Sequence, residues 1–339
     1  MSETAAARIR LGGIKILEGR SHLSARCAGS GTVLADICSR MAADRINISH
    51  LTHIHGSGEA DCAGALAVDK GDGFSGYFHL KAVHGGGDAV NLHPDVSILS
   101  VFPHDQKGSV AGGILGVLDK SGVRTHGIAS STAALSVLVS SADTPKVIDA
   151  LFEPFEFPTY RSPYDWHAAY KEREHVFKEI ICSYEEQIVK VYNIARQPGL
   201  DMWKLAPRKG GVGAMARLFR EMDLAGIRLP FLVAQSDEVH DLLFAVCCAA
   251  ERRGIVRGLL EGSSGEIVVA GLEDAAMFSL HGPHFGDRYG IAGALVSSML
   301  DKGVSPLALC CSMSSISAVV RACDFEAAAA GLESSFQTA

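Results

Sequence analysis

The chain has 339 residues, 47% hydrophobic and 20% charged, enough apolar side chain for more than one packed core. Its formal net charge of -7 argues against a general affinity for nucleic acid or an anionic membrane. The longest apolar run, residues 242–250, falls far short of the ~18 residues that span a bilayer, and residues 1–13 hold no apolar core of a secretory signal.

Read in chain order, the sequence repeats one pattern four times. Residues 33–41 carry Val33, Leu34, Ile37 and Met41 at helical spacing; residues 46–54 and 62–68 read as strands and 74–83 as a second helix. Residues 96–101 then alternate as a strand. A helix follows over 110–118, stopped at Asp119-Lys120-Ser121-Gly122, with strands at 123–129 and 135–139. Pro145 suits the first turn of a helix over 144–152. Pro158 and Pro163 mark a boundary, after which Trp166, Tyr170, Phe177 and Ile180 fall near helical spacing, as expected of a connecting helix. The third copy has strands at 188–194, 227–234 and 242–249, and helices at 212–222 and 256–260. In the fourth, strands at 276–280, 304–309 and 316–320 alternate with helices at 291–300 and 325–332. Leu118-Asp119-Lys120-Ser121-Gly122-Val123 returns almost literally as Leu300-Asp301-Lys302-Gly303-Val304.

Each copy reads as βαββαβ with ferredoxin-like topology, an α+β class with antiparallel sheets and helices on one face. The expected boundaries are 12–85, 86–157, a linker helix over 158–179, then 180–262 and 263–337. Four small units in one chain imply two side-by-side pairs, because a small sheet needs cover on its face and edge.

Gly29-Ser30-Gly31-Thr32-Val33-Leu34-Ala35-Asp36-Ile37, followed by Arg45-Ile46-Asn47-Ile48-Ser49, resembles the first ACT module of aspartokinases. The segment from Val96 to Phe155, with Ala129-Ser130-Ser131 before an alternating strand, resembles the second such module, as does that from Ala276 to Phe336. The sequence differs from that family in having Ser49 where an Asp is usual, and in showing no Lys-Phe-Gly-Gly-type nucleotide signature. The resemblance therefore implies a cytoplasmic, non-catalytic regulator without a kinase domain. It would sense an aspartate-family amino acid such as lysine, threonine or methionine, act as a homodimer, and serve a biosynthetic enzyme; the alternative is a regulatory subunit of a separate aspartokinase.

Carried over residue by residue, the resemblance implies that Ser30, Gly31, Thr32, Val33, Asn47 and Ser49 bind the effector, with Gly108, Ser109, Val110 and Ser130 as second-module equivalents. The chemistry is sound in itself. A helix N-terminus offers free N–H groups to a carboxylate, glycines permit close approach, and Asn47 or Ser49 can accept from an ammonium group. No catalytic residue, cofactor or metal is expected. His50, His53 and His55 are the metal candidates, and the candidates for an enzyme site, but no third ligand joins the one-face pair His53 and His55. His84-Gly85-Gly86-Gly87 lacks a Gly-x-Ser-x-Gly partner, and Lys209-Gly210-Gly211-Val212-Gly213 lacks the end of a Walker loop. The nine cysteines form no C-x-x-C pair and are expected as buried free thiols.

Overall fold

The computed structural model describes residues 8–27, 31–56, 62–83, 90–131, 133–173, 189–208, 211–236, 242–282, 289–312 and 315–338. The chain starts with β1 (Ile9–Arg10), β2 (Gly13–Cys27), α1 (Thr32–Ala43), β3 (His50–His55), β4 (Cys62–Asp69) and α2 (Gly73–Val83). Next come β5 (Val90–Phe102), α3 (Gly108–Ser121), β6 (Thr125–Ser130), β7 (Leu135–Ser140), α4 (Thr144–Leu151), β8 (Phe155–Glu156) and the connecting helix α5 (Pro163–Arg173). The second half contains β9 (Val189–Val191), β10 (Asn193–Pro207), α6 (Gly213–Leu224), β11 (Phe231–Gln235), β12 (Leu243–Ala249) and α7 (Arg253–Gly262). It ends with β13 (Ile267–His281), α8 (Ile291–Leu300), β14 (Ala308–Ser312), β15 (Ser315–Arg321), α9 (Phe325–Ser335) and β16 (Phe336–Thr338).

The order strand–helix–strand–strand–helix thus occurs four times, starting at β2, β5, β10 and β13. The local causes are those the sequence suggests. Gly122 closes α3 in the left-handed conformation, φ 60°. Pro145 sits in the first turn of α4, where its missing N–H costs nothing.

The twelve principal strands close into one antiparallel ring, in the order β10-β12-β11-β6-β7-β5-β2-β4-β3-β14-β15-β13. Each unit adds three adjacent strands, and units meet edge to edge through β11–β6, β2–β5, β3–β14 and β10–β13. Two-residue periodicity divides the strand side chains between the helix side and the ring interior. On β12, Phe244, Val246 and Cys248 join the helix-packed core, whereas Leu243, Ala245 and Cys247 face the ring interior. On β14, Leu309 and Cys311 turn to the helices, Ala308 and Cys310 inward. The run over 242–250 is the buried strand its composition suggests.

Helix packing follows two of these edges, β11–β6 and β3–β14. α3 packs on α6, and α1 packs on α8, although these are far apart in sequence. Glycine allows the close approach: a Cβ on Gly293 would lie 3.3 Å from the Cys38 Cβ, and one on Gly112 would lie 2.5 Å from the Ala216 carbonyl oxygen. Among the described residues, no helix is long and apolar enough to cross a membrane.

Candidate functional site

The α1–α8 seam ends in a cleft. α8 runs antiparallel to α1, so its start lies over the end of α1: a Cβ on Gly290 would meet the Ala42 Cβ at 3.3 Å. Tyr289, Gly290 and Gly293 form one wall, and Ala42, Ile46, Asn47 and Ile48, in the segment leading to β3, form the other. Cys38, Cys311 and Ile316 lie beneath. Among the described residues no side chain caps α8, and Gly290 holds a left-handed φ of 82° as its first flanking residue. The first N–H groups of α8 therefore carry the partial positive charge of a helix start toward Asn47. The floor is electrically neutral: burial, with a smaller contribution from Cys311, pushes the Cys38 thiol up to about 12, and burial does the same to Cys311. The free volume is ≈ 20 Å³, room for about one water molecule. An amino acid enters only when the walls part.

The expected site residues do not gather at one place. Gly31 precedes α1, and a Cβ there would meet Leu300, Pro306 and Ser305 at the far end of the seam. Asn47 follows α1, so the two are separated by its 12 residues, about 18 Å at the usual helical rise. Thr32 is exposed and Val33 packs on the helix core. Ser49 is occupied by β4, its hydroxyl donating to the Ala67 carbonyl at 3.1 Å. Ser30 lies outside the described residues. The seam instead joins each helix start to the other unit's strand approach: α8 to Asn47, and α1 to Ser305 and Pro306. Tyr289 and Gly290 are not among the residues the sequence points to. A signal for them exists, because the repeat that matches Leu118-Asp119-Lys120 to Leu300-Asp301-Lys302 places Tyr289 and Gly290 where Lys107 and Gly108 stand.

The α3–α6 seam is closed at the matching position. The Leu229 N–H donates to the Gln106 carbonyl at 2.9 Å, and Lys107 bridges to Arg228. Gly108 and Val110 are buried there and Ser109 half-buried; a Cβ on Gly108 would sit 2.2 Å from the Phe219 carbonyl oxygen. Ser130 is buried and accepts the Leu232 N–H at 2.8 Å, tying β6 to β11. At the other end, the α6 start already has a carboxylate: Gly213 donates its N–H to Asp119 Oδ1 at 3.1 Å. Gly211 and Gly213 line that open cleft of ≈ 450 Å³ with Arg208, Arg217 and Glu266, and Lys209 and Gly210 lie outside the described residues. The histidines weighed as metal ligands also separate. Strand alternation sends His50 inward and His53 to the helix side, where it lies with Leu34, Ile37 and Leu51. The loop at His84 lies outside the described residues.

No family model and no curated protein matches the chain. Among solved structures, an aspartate kinase from Synechocystis matches with a TM-score of 0.76 at 15% identity, over 96% of this chain and 55% of that one. The regulatory subunits of aspartate kinase from Thermus thermophilus and Thermus flavus match 43% and 42% of this chain, at 16% and 15% identity and a TM-score of 0.39 each. Those partial overlaps carry no weight for the fold. The chain has a fold found in an aspartate kinase and spans about half that protein's length. This corrects the expectation of a non-catalytic regulator without a kinase domain, and that of a separate kinase's regulatory subunit. The structure matched along 96% of this chain is that of an aspartate kinase, an enzyme, of which the chain covers 55%. The expectation rests on a missing motif, and at 15% identity a missing motif excludes nothing. An enzyme centred on His50, His53 and His55 fits no better, because the strand divides them between two faces.

Proposed function

We propose that the chain works within an aspartate-kinase-type protein of amino-acid biosynthesis and binds an α-amino acid at the α1–α8 seam. The carrying observation is the start of α8, without a side-chain cap among the described residues, set against Asn47 in one cleft. In this reading the ligand's carboxylate takes the N–H groups of Ile291 and Ala292, and Asn47 accepts from its ammonium group. Gly31 and Thr32, opposite Ser305, form the related position at the seam's other end. The four units are ACT-type modules in the same proposal, and the setting is cytoplasmic. Self-association belongs to it too. The closed ring leaves its twelve strands without a free edge, so pairing would use helix faces such as that of Phe74 and Phe78, which are 70% and 65% exposed on α2.

The test is a thermal-shift and calorimetric screen of the purified chain against the α-amino acids, with aspartate, lysine, threonine and methionine included. A ligand at about a hundred times its Kd stabilises the native state by about 2.7 kcal/mol, enough to raise the Tm by several degrees. Asn47→Ala is expected to weaken binding at least about tenfold, the loss of one hydrogen bond to a charged group. A screen without any shift at millimolar concentration, or unchanged binding in a folded Asn47→Ala variant, refutes the site.

A further inference from the structure

At one end of the ring, three imidazoles from separate strands meet over an apolar floor. His22 lies on β2 and His93 directly opposite it on β5, so both side chains leave the same face of the sheet. Ring centroids are 5.8 Å apart for His22 and His93, 5.3 Å for His22 and His126, and 4.6 Å for His93 and His126. One ring nitrogen from each lies within 4.8 Å of those of the other two.

The backbone is shaped for this meeting. Along β6, Thr125 pairs with Val139 and Gly127 with Leu138, leaving His126 as the extra residue of a bulge. Such a bulge re-aims one side chain out of the ladder. The β2–β5 ladder also shifts register on either side of Arg20, two residues before His22. Ala67 neighbours His22 on β4 and joins Ile98 and Leu138 in a small apolar cluster there.

His22 is 2% exposed, and neither ring nitrogen has a hydrogen-bond partner among the described residues. An imidazole always presents a donor or acceptor at each nitrogen, and leaving both unmet in the interior is costly. His93, by contrast, is exposed and His126 half-buried, so the group opens to solvent on one side. His50 follows in the same lateral row, opposite Ala67 on β4, and its ring nitrogens also lack partners among the described residues.

We propose that His22, His93 and His126 bind one borderline divalent transition-metal ion, with zinc as the test case and the fourth position open toward His93. A donor set of three neutral nitrogens suits zinc, cobalt, nickel or copper and rejects calcium and magnesium, which take oxygen. Tetrahedral zinc with Zn–N near 2.0–2.1 Å needs nitrogens about 3.3 Å apart. The group closes to that spacing by side-chain rotation of His93 and His126, the two with room to turn. The ion supplies the partner that the His22 ring otherwise lacks.

The test uses the tag-free full chain, stripped with a chelator and titrated with cobalt(II) under visible spectroscopy, then with zinc(II) by calorimetry. One ion per chain and the absorption of a four-coordinate nitrogen site are expected. His93→Gln and His126→Gln lie at the open side, and each is expected to weaken zinc binding at least about tenfold, the loss that even an outer-shell partner brings. His79→Gln, whose ring contacts Asp44 elsewhere, is expected to bind as the parent does. Circular dichroism confirms that each variant is folded. Absence of binding at micromolar metal, or equal binding by the folded His93→Gln/His126→Gln double variant, overturns the proposal.

Discussion

Single glycines in this chain have opposite effects that the backbone decides. A Cβ on Gly108 would sit 2.2 Å from the Phe219 carbonyl oxygen, and α6 cannot recede without breaking the seam. Gly108→Ala is expected to destabilise by about 1–3 kcal/mol, the range for overpacking. Gly258, within α7, has nothing within 4 Å of its Cβ position. Gly258→Ala is expected to stabilise by up to about 1 kcal/mol through helix propensity. Urea unfolding of both variants checks the signs. Two buried histidines add a pH dependence. Burial pulls His104 down to about 4, against a smaller upward effect of Asp105. Burial, with His55 second, pulls His53 down to about 4. Both therefore fold neutral, whereas the unfolded chain takes up protons below ~6.5. Their contribution is full above that pH and is lost as pH falls toward about 4. Each steepens the fall by up to about 1.4 kcal/mol per pH unit. Urea midpoints measured from pH 7 to 4.5 are expected to drop, and to drop less in a folded His53→Leu variant.

At the scale of elements, two bulges bend the long strands β2 and β10. The first falls between Leu17 and Arg20, with Gly19 at φ 66°, and the second between Gln197 and Leu200, with Gly199 at φ 71°. Neither glycine has an atom within 4 Å of its Cβ position, so any cost of substitution is conformational. Gly199→Val is expected to lower stability by about 1–2 kcal/mol, the cost of a left-handed L-residue, as chemical denaturation will show. These bulges also explain what the sequence hides. The helices are legible from apolar spacing, as with α8, and the central strands from alternation, as with β7, or from an unbroken apolar run, as with β12. The strands β2 and β10 are not legible to their full length of 15 residues. Glu18-Gly19 and Pro198-Gly199 read as turn residues and break the alternation that marks a strand. The candidate cleft is half legible. Asn47 stands out within its own unit, but its opposite wall, Tyr289 and Gly290, comes from a segment more than two hundred residues away. No local pattern announces which units pair. The histidine group is hidden for the same reason, since its three strands come together only when the first two units pair through β2–β5.

The whole molecule is two similar halves, and that symmetry predicts how a fragment behaves. In the first half the long strands β2 and β5 pair, and in the second β10 and β13 pair in the same way. The halves join through β3–β14 and β6–β11, and through the α1–α8 and α3–α6 seams. In this correspondence α1 matches α6 and α3 matches α8, so each seam brings together one helix of each kind. A chain ending near residue 157 keeps six of the ring's twelve strands. It exposes the edges of β3 and β6 together with the apolar faces of α1 and α3. Unpaired edges and bare helix faces drive association. A second copy offers both matching surfaces, with β3 of one pairing β6 of the other and α1 packing on α3. The closure is two-fold and leaves no strand edge free, the condition for a discrete dimer rather than an open polymer. Residues 1–157 are therefore expected to form a dimer that dissociates only as it unfolds, with a melting temperature that rises with concentration. Light scattering that found a stable, folded monomer of this fragment would show that the seams contribute little, and that each unit is held by its own core.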